Sequence, residues 1–262
     1  MFYHNINPVL LGIGPLQIRY YGLFYALGFV MGYFLIPYIA KARGLKFTKD
    51  DAADYIVYMI IGIVLGSRTG YVIFYNIAYY FKNPLHIFYL WEGGLSFHGG
   101  FIGGIIAMYF FCKKKKLHFY DMADISVIPA ALALALGRIG NFINGELYGR
   151  ITNAGWCVDY SKNQYMVDKP SGCRHPSQIY ESMKNFLIFA SLWFLKDKKL
   201  PRGFLFWTFV AMYGLLRTIM EFFRQPDEQL GFLFANLTMG QLLSIPLFIA
   251  GVFMMYRLKK NN

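Results

Sequence analysis

Long apolar runs separated by short basic segments dominate this chain. A membrane-crossing helix needs about 20 mostly apolar residues. The pattern predicts seven such segments, at 20–40, 55–75, 95–112, 122–143, 179–195, 203–223 and 237–256. The third and fifth are short. The first is too long and too late for a cleaved signal peptide, and no basic run precedes it, so it reads as a retained span. The stretch 144–177 is rich in Gly, Asn, Asp and Lys and is expected to form a small cap outside the bilayer. No second domain or internal repeat is visible, and the lack of inverted halves weakens a transporter reading. The expectation is an all-α, polytopic integral membrane protein. A single membrane-embedded domain covers residues 1–262, with the 144–177 cap inserted between spans four and five.

Composition agrees with this picture. Of 262 residues, 56% are hydrophobic and 15% charged, where a soluble domain carries about 25% charged residues. Mean hydropathy is +0.37. Aromatic residues make up 19%, which suits rings at both bilayer interfaces. The 26 Lys and Arg exceed the 14 Asp and Glu, for a net charge of +12. Strong basicity often points to nucleic acid. Here the basic residues fall between the apolar runs, and no nucleic-acid motif accompanies them.

Their distribution instead sets an orientation. The alternate segments holding Lys41, Arg43, Lys46 and Lys49, then Lys113 to Lys116, then Lys196, Lys198, Lys199 and Arg202, then Arg257, Lys259 and Lys260 carry 15 of the 26 basic residues. The opposite side carries seven. The N-terminus is therefore expected outside and the C-terminus in the cytoplasm. Cys157 and Cys173 share the outer loop, where an oxidising compartment permits a disulfide; spacing alone leaves the pairing open. Cys112 reads as a small apolar filler.

Ionisable residues inside spans are costly and usually functional. At about 1.5 Å per residue, Arg68 lies roughly 20 Å and Arg138 roughly 24 Å above the cytoplasmic starts of their spans. Arg217 also falls in the outer half. His98 and Tyr21 begin their spans on that side, and Asn141, Glu146 and Glu221 share it. Arg138 and Asn141 are i,i+3, and Arg217 and Glu221 are i,i+4, so each pair shares a helix face. Arginines at one depth need an anion between them or carboxylates beside them. The guanidinium fork matches a phosphate, and a phospholipid headgroup is the obvious anion there.

Plainer readings stand beside these. His98 is equally an interfacial residue, and Arg217–Glu221 a buried structural pair. Arg68 reads better as a packing charge satisfied by carbonyls. Asp124 and Lys184 read as span-end charges. Gly62, Gly66 and Gly70, with Gly99/Gly103 and Gly100/Gly104, form small-xxx-small faces for close helix packing; Gly99 and Gly100 also follow His98 directly, where they could open a backbone donor site. His4, His86 and His118 show no ligand spacing, and no metal motif appears. The dense polar run at 137–150 (GRIGNFINGELYGR) is the hardest to explain by packing.

That run closely resembles the signature of the bacterial prolipoprotein diacylglyceryl transferase family. Further matches follow in order: Tyr20-Tyr21-Gly22, 66–76 (GSRTGYVIFYN), 93–100 (GGLSFHGG), 174–181 (RHPSQIYE), 217–227 (RTIMEFFRQPD) and 239–246 (MGQLLSIP). The resemblance implies seven spans with the N-terminus outside, in agreement with the charge distribution. It implies a multi-pass protein of the bacterial cytoplasmic (inner) membrane with its active site facing out. Its substrates would be phosphatidylglycerol and a prolipoprotein whose lipobox cysteine is the nucleophile. The product would be a thioether-linked diacylglyceryl cysteine, with glycerol phosphate released, as the first step of lipoprotein maturation. The family's residues carry over as His98, Arg217, Tyr21 and Glu221 for catalysis, and Arg138, Asn141, Glu146 and Gly149 for phosphatidylglycerol.

The chemistry implied is cleavage of a carbon–oxygen bond with a phosphate monoester leaving. Arg138 and Arg217 suit the developing charge. Asn141 could hold the glycerol headgroup or a phosphate oxygen, and Glu146 and Glu221 would orient the arginines. A thiol has a pKa of about 8.5, and its thiolate is the nucleophile. His98 is the leading candidate base, with thiol activation by the arginines alone as the other possibility. No metal or organic cofactor is required. The rivals are an anionic-lipid transporter, which predicts a second polar cluster in the cytoplasmic half, and a membrane-embedded phospholipid hydrolase, which predicts its own nucleophile or metal ligands.

Overall fold

The structure is a computed structural model and describes residues 1–14, 16–167, 169–226 and 237–260. Asp227, at the end of the 217–227 motif, lies outside them. Each of the seven apolar segments forms a long helix. These are α1 (Tyr20–Ala42), α2 (Lys49–Tyr75), α4 (Phe97–Lys115), α5 (Phe119–Asn144), α6 (Ser177–Leu195), α7 (Phe204–Met220) and α8 (Met239–Lys260). A short helix, α3 (Ile77–Lys82), follows α2. By length and composition, α1, α2, α5 and α8 are apolar enough to cross a membrane. Helix α7 is apolar but has only 17 residues. Helix α6 is diluted by buried Gln178, Glu181, Lys184 and Asn185.

The helical architecture also carries short strands that the hydropathy pattern did not reveal. A hairpin pairs β2 (Val9–Ile13) with β3 (Leu16–Arg19) just before α1. A small sheet in the order β1-β4-β5 joins Phe2–Tyr3, Val158–Asp159 and Cys173–Arg174. Strands this short carry no periodic signal. Cys157 and Cys173 are joined in a disulfide, with their Cα atoms 5.5 Å apart. Contacts divide the chain into two compact units, Met1–Leu35 with Asp124–Asn262, and Ile36–Ala123.

In the unit Ile36–Ala123, α2 and α4 pack backbone to backbone. A Cβ added at Gly103 would lie 2.1 Å from the Gly62 carbonyl oxygen, and one at Gly66 2.3 Å from that of Gly99. Helix starts are marked by side-chain caps. Thr48 and Asp51 form a capping box on α2, and Ser96 caps α4 through Gly99 N. At the far end of α4, Lys115 Nζ reaches Asp51 at 2.7 Å and Asp54 at 2.9 Å.

Arg68, 3% exposed, is not an anion-binding arginine. Its five donors are all committed to carbonyls. Nε donates to Ile87, Nη1 to Gly93 and Gly94, and Nη2 to His86 and Tyr89, at 2.5–3.2 Å. It ties down the irregular segment before α4. The outer-half arginine trio expected from depth therefore reduces to Arg138 and Arg217.

In the other unit, small residues on α5 admit its neighbours. A Cβ at Gly28 of α1 would lie 2.8 Å from that of Ala133. Helices α7 and α8 meet at Gly214 and Gly251, where an added Cβ would lie 2.6 Å from backbone atoms. Asp124, read above as a span-end charge, caps another helix. It accepts from Gly203 N and Phe206 N, both at 2.9 Å, at the start of α7.

Replacing Gly103 by Val should cost about 1–3 kcal/mol of stability, the usual range for overpacking. Gly155→Ala, where nothing lies within 4 Å of the new Cβ, should be neutral. Thermal unfolding in detergent compares the two, and equal melting points would contradict the backbone contact.

Candidate functional site

The signature run ends α5 and turns back on it. Gly145, at φ +73, takes the left-handed position after the helix. Gly145 N bonds to the Phe142 carbonyl and Glu146 N to the Asn141 carbonyl, at 3.0 and 3.1 Å. That is a Schellman reversal, which needs glycine at its centre. The reversal sets Glu146 beside the helix face it has just left. Glu146 Oε1 accepts from Asn141 Nδ2 at 2.8 Å and from Asn144 Nδ2 at 3.1 Å. With its amide nitrogen so used, Asn141 offers Oδ1 to Arg138 Nη1, at 3.4 Å. Glu146 is exposed and Asn141 buried.

Helix α6 holds this reversal with one polar face. Ser177 Oγ donates to the Leu147 carbonyl at 2.9 Å, and Gln178 Nε2 to that of Glu146 at 2.8 Å. Ser182 Oγ donates to the Ala135 carbonyl at 2.9 Å. Between them stands Glu181, 3% exposed. Its Oε1 takes Arg217 Nη1. Its Oε2 takes Lys184 Nζ at 2.7 Å and lies 3.8 Å from Arg138 Nε. Arg217 Nη2 also pairs with Glu221 Oε2 at 2.7 Å; the approach is off the hydrogen-bond direction, so the contact is an ion pair. Gly240 of α8 leaves room for that carboxylate, because a Cβ there would meet it at 2.7 Å.

Tyr21 reaches α5 at Gly140, where an added Cβ would stand 3.0 Å from its ring. Its hydroxyl donates to that of Tyr25 at 3.1 Å. A cavity of about 570 Å³ is lined by Gln17, Arg19, Tyr21, Gly22, Asn141, Asn144, Glu146 and Leu147. Its walls offer hydroxyl, amide, carboxylate and guanidinium groups.

Of the residues expected at the site, Tyr21, Asn141 and Glu146 share this cavity, and Arg138 joins it through Asn141. Arg217, paired with Glu221, meets Arg138 at Glu181. Glu221 orients an arginine directly. Glu146 acts on Arg138 only through Asn141, and the carboxylate beside Arg138 is Glu181. Gly149 is placed by packing: an added Cβ would lie 2.5 Å from the His175 carbonyl oxygen and 2.6 Å from that of Phe223. His98 belongs to the other unit, in the first turn of α4. It is exposed, and its ring meets Phe97 edge-on at 5.7 Å. Among the described residues, no cluster of His, Cys, Asp or Glu could hold a metal.

Sequence reasoning gave Glu181 no role and read Lys184 as a span-end charge. The signal was present as spacing. Gln178, Glu181, Ser182 and Asn185 recur at three- and four-residue intervals, so they share one face of an otherwise apolar segment. Gln17, Arg19 and Asn144 were also missed; only tertiary contact brings the hairpin residues to α5.

The N-terminus braces the same helix end. His4 is fully buried. Its Nε2 lies 2.7 Å from the Phe142 carbonyl oxygen and its Nδ1 2.6 Å from Asn163 Nδ2. Asn163 Oδ1 accepts from Tyr165 N and Met166 N, so its amide nitrogen is the donor to His4. Nδ1 is therefore an acceptor, and Nε2 carries the proton and donates to Phe142. The ring is held neutral, and burial pushes its pKa below 6.5. His175 is shifted the same way by burial.

This gives a pH dependence of definite sign. Above pH 6.5 His4 is neutral folded and unfolded. As pH falls through 6.5, the unfolded chain takes up a proton that the folded chain refuses, so stability declines. Melting temperature should drop between neutral pH and about 5. His4→Gln should flatten part of that slope, and an unchanged slope would remove His4 as its source.

Comparison with known proteins bears on the chemistry. A family model described as prolipoprotein diacylglyceryl transferase matches residues 8–257. The phosphatidylglycerol–prolipoprotein diacylglyceryl transferase of Geobacter sulfurreducens is 46% identical over 258 residues, 97% of this chain and 96% of its own. The protein of the same name from Rickettsia rickettsii is 44% identical over 258 residues, 97% of each chain. That of Bordetella parapertussis is 46% identical over 251 residues, 95% of this chain and 94% of its own.

Proposed function

The chain belongs to the prolipoprotein diacylglyceryl transferase family, and from that premise we propose that it transfers the sn-1,2-diacylglyceryl group of phosphatidylglycerol to the lipobox cysteine of prolipoproteins. A thioether forms at the cysteine sulfur, the glycerol carbon–oxygen bond to phosphate breaks, and glycerol phosphate leaves. The observation that carries the reading is the pair of guanidiniums converging on Glu181, Arg217 buried and Arg138 part-exposed and joined through Asn141 to the cavity. Arg138, joined to that cavity through Asn141, offers a fork to a phosphate whose charge grows as the bond breaks, and Arg217, held between Glu181 and Glu221, adds a second fixed positive charge.

Each site residue takes a part in this scheme. Arg138 and Arg217 stabilise the leaving phosphate, and Glu221 orients Arg217. Asn141, Glu146 and Tyr21 bind the glycerol headgroup, with Gly149 shaping the wall behind them. His98 accepts the thiol proton. The nucleophile comes with the substrate, so the protein's own cysteines are not used.

The chain is placed as a multi-pass protein of the bacterial inner membrane. Seven spans run from an outer N-terminus to a cytoplasmic C-terminus, and the site faces out. Seven long helices in the predicted order support this, as does the concentration of Lys and Arg in alternate loops. The Cys157–Cys173 disulfide supports placing the 144–177 cap in an oxidising compartment.

Purified protein incubated with phosphatidylglycerol and a lipobox peptide should yield a thioether-linked product. Hydrolysed lipid, or lipid movement without product, would refute the transfer. Arg138→Ala should lose roughly 100-fold or more of the rate, as for other removed charge-stabilising donors, while still inserting and folding. Arg217→Lys should also be poor, because a point charge does not reproduce the fork. His98→Asn tests the base: its rate should fall most at neutral and acid pH, where few thiols ionise unaided. Near-normal turnover across a pH series would assign thiol activation to the arginines.

A further inference from the structure

Lys184 follows Glu181 by one turn of α6. It is 4% exposed, with Nζ 2.7 Å from Glu181 Oε2 and 4.2 Å above the Tyr213 ring. A buried ammonium is retained only where it is paired. The partner here is not its own. Arg217 holds Oε1 of the same carboxylate. Oε2, the oxygen Lys184 occupies, is also the one nearest Arg138, whose Nε stands off at 3.8 Å. Two cations thus compete for one oxygen, and Lys184 has it.

The consequence falls on Arg138. Its side chain keeps 21% exposure, against 10% for Arg217, and its contact to Asn141 is long, at 3.4 Å. We propose that Lys184 is a positioning residue: by occupying Glu181 Oε2 it holds Arg138 off that carboxylate and leaves its guanidinium fork for the phosphodiester of the lipid substrate. This inference rests on the transfer reaction described above.

A neutral residue at 184 removes the competitor. The buried carboxylate is then short of one cation, and Arg138 is the nearest replacement. Closing the gap from 3.8 Å to hydrogen-bond distance strengthens that pair, and the lipid must break it to bind. The loss therefore appears in capture of the lipid more than in the chemical step. A lysine that merely balanced charge in the fold would change thermal stability and leave the affinity for lipid alone.

The experiment measures kcat and KM for phosphatidylglycerol in mixed detergent micelles, with lipobox peptide saturating. Lys184→Met should raise KM about tenfold with kcat within about twofold, and Lys184→Arg should restore most of the loss. Tyr213→Leu removes the ring under the ammonium but keeps the charge. It should raise KM by a smaller factor, and it decides the question if Lys184→Met does not fold. An unchanged KM in folded variants, or a fall in kcat at constant KM, overturns the proposal. Unmodified protein that forms no thioether in the same assay would instead overturn the transfer reading itself.

Discussion

Charge placed among apolar helices has to be compensated, and in this protein Glu181 does so for three cations. One carboxylate from α6 faces an arginine from α5, an arginine from α7 and a lysine from its own helix. Remove the carboxylate and three buried or half-buried cations lose their common partner, a far larger penalty than loss of a surface pair. The α5–α6–α7 arrangement is thus tied to the electrostatics of the site. Polar residues on α6 lower its hydropathy, and the same residues hold the end of α5 in place.

The second constraint is the reversal at 144–146. A helix that ended without glycine at 145 would not bring Glu146 back onto Asn141. Around that turn the support comes from far along the chain: Gln178 and Ser177 on the carbonyls of Glu146 and Leu147, and His4 on that of Phe142. Asn163 orders His4, and the disulfide closes the loop that carries Asn163. The segment 144–177 is therefore part of what fixes the end of α5.

Much of the architecture was legible because hydropathy acts through short-range pattern. Seven apolar runs became seven long helices, and the glycine repeats became the α2–α4 contact. Within the signature run, Arg138 and Asn141 are in contact, as their i,i+3 spacing suggested. Arg68 was also read as a packing charge satisfied by carbonyls, and its partners are the carbonyls of His86, Ile87, Tyr89, Gly93 and Gly94. The strands were not legible, because elements of two to five residues carry too little period to read. Asp124 was misjudged because its partners, Gly203 and Phe206, are some eighty residues away.

By itself, the sequence determined the helices and the family, for each depends on residue types at short separations. The tertiary structure decided which carboxylate serves which arginine. It set Glu181, not Glu146, between Arg138 and Arg217, committed Arg68 to carbonyls, and placed Lys184 on the same carboxylate. Such choices depend on distances between side chains from different helices, and burial makes differences of an ångström decisive for charges.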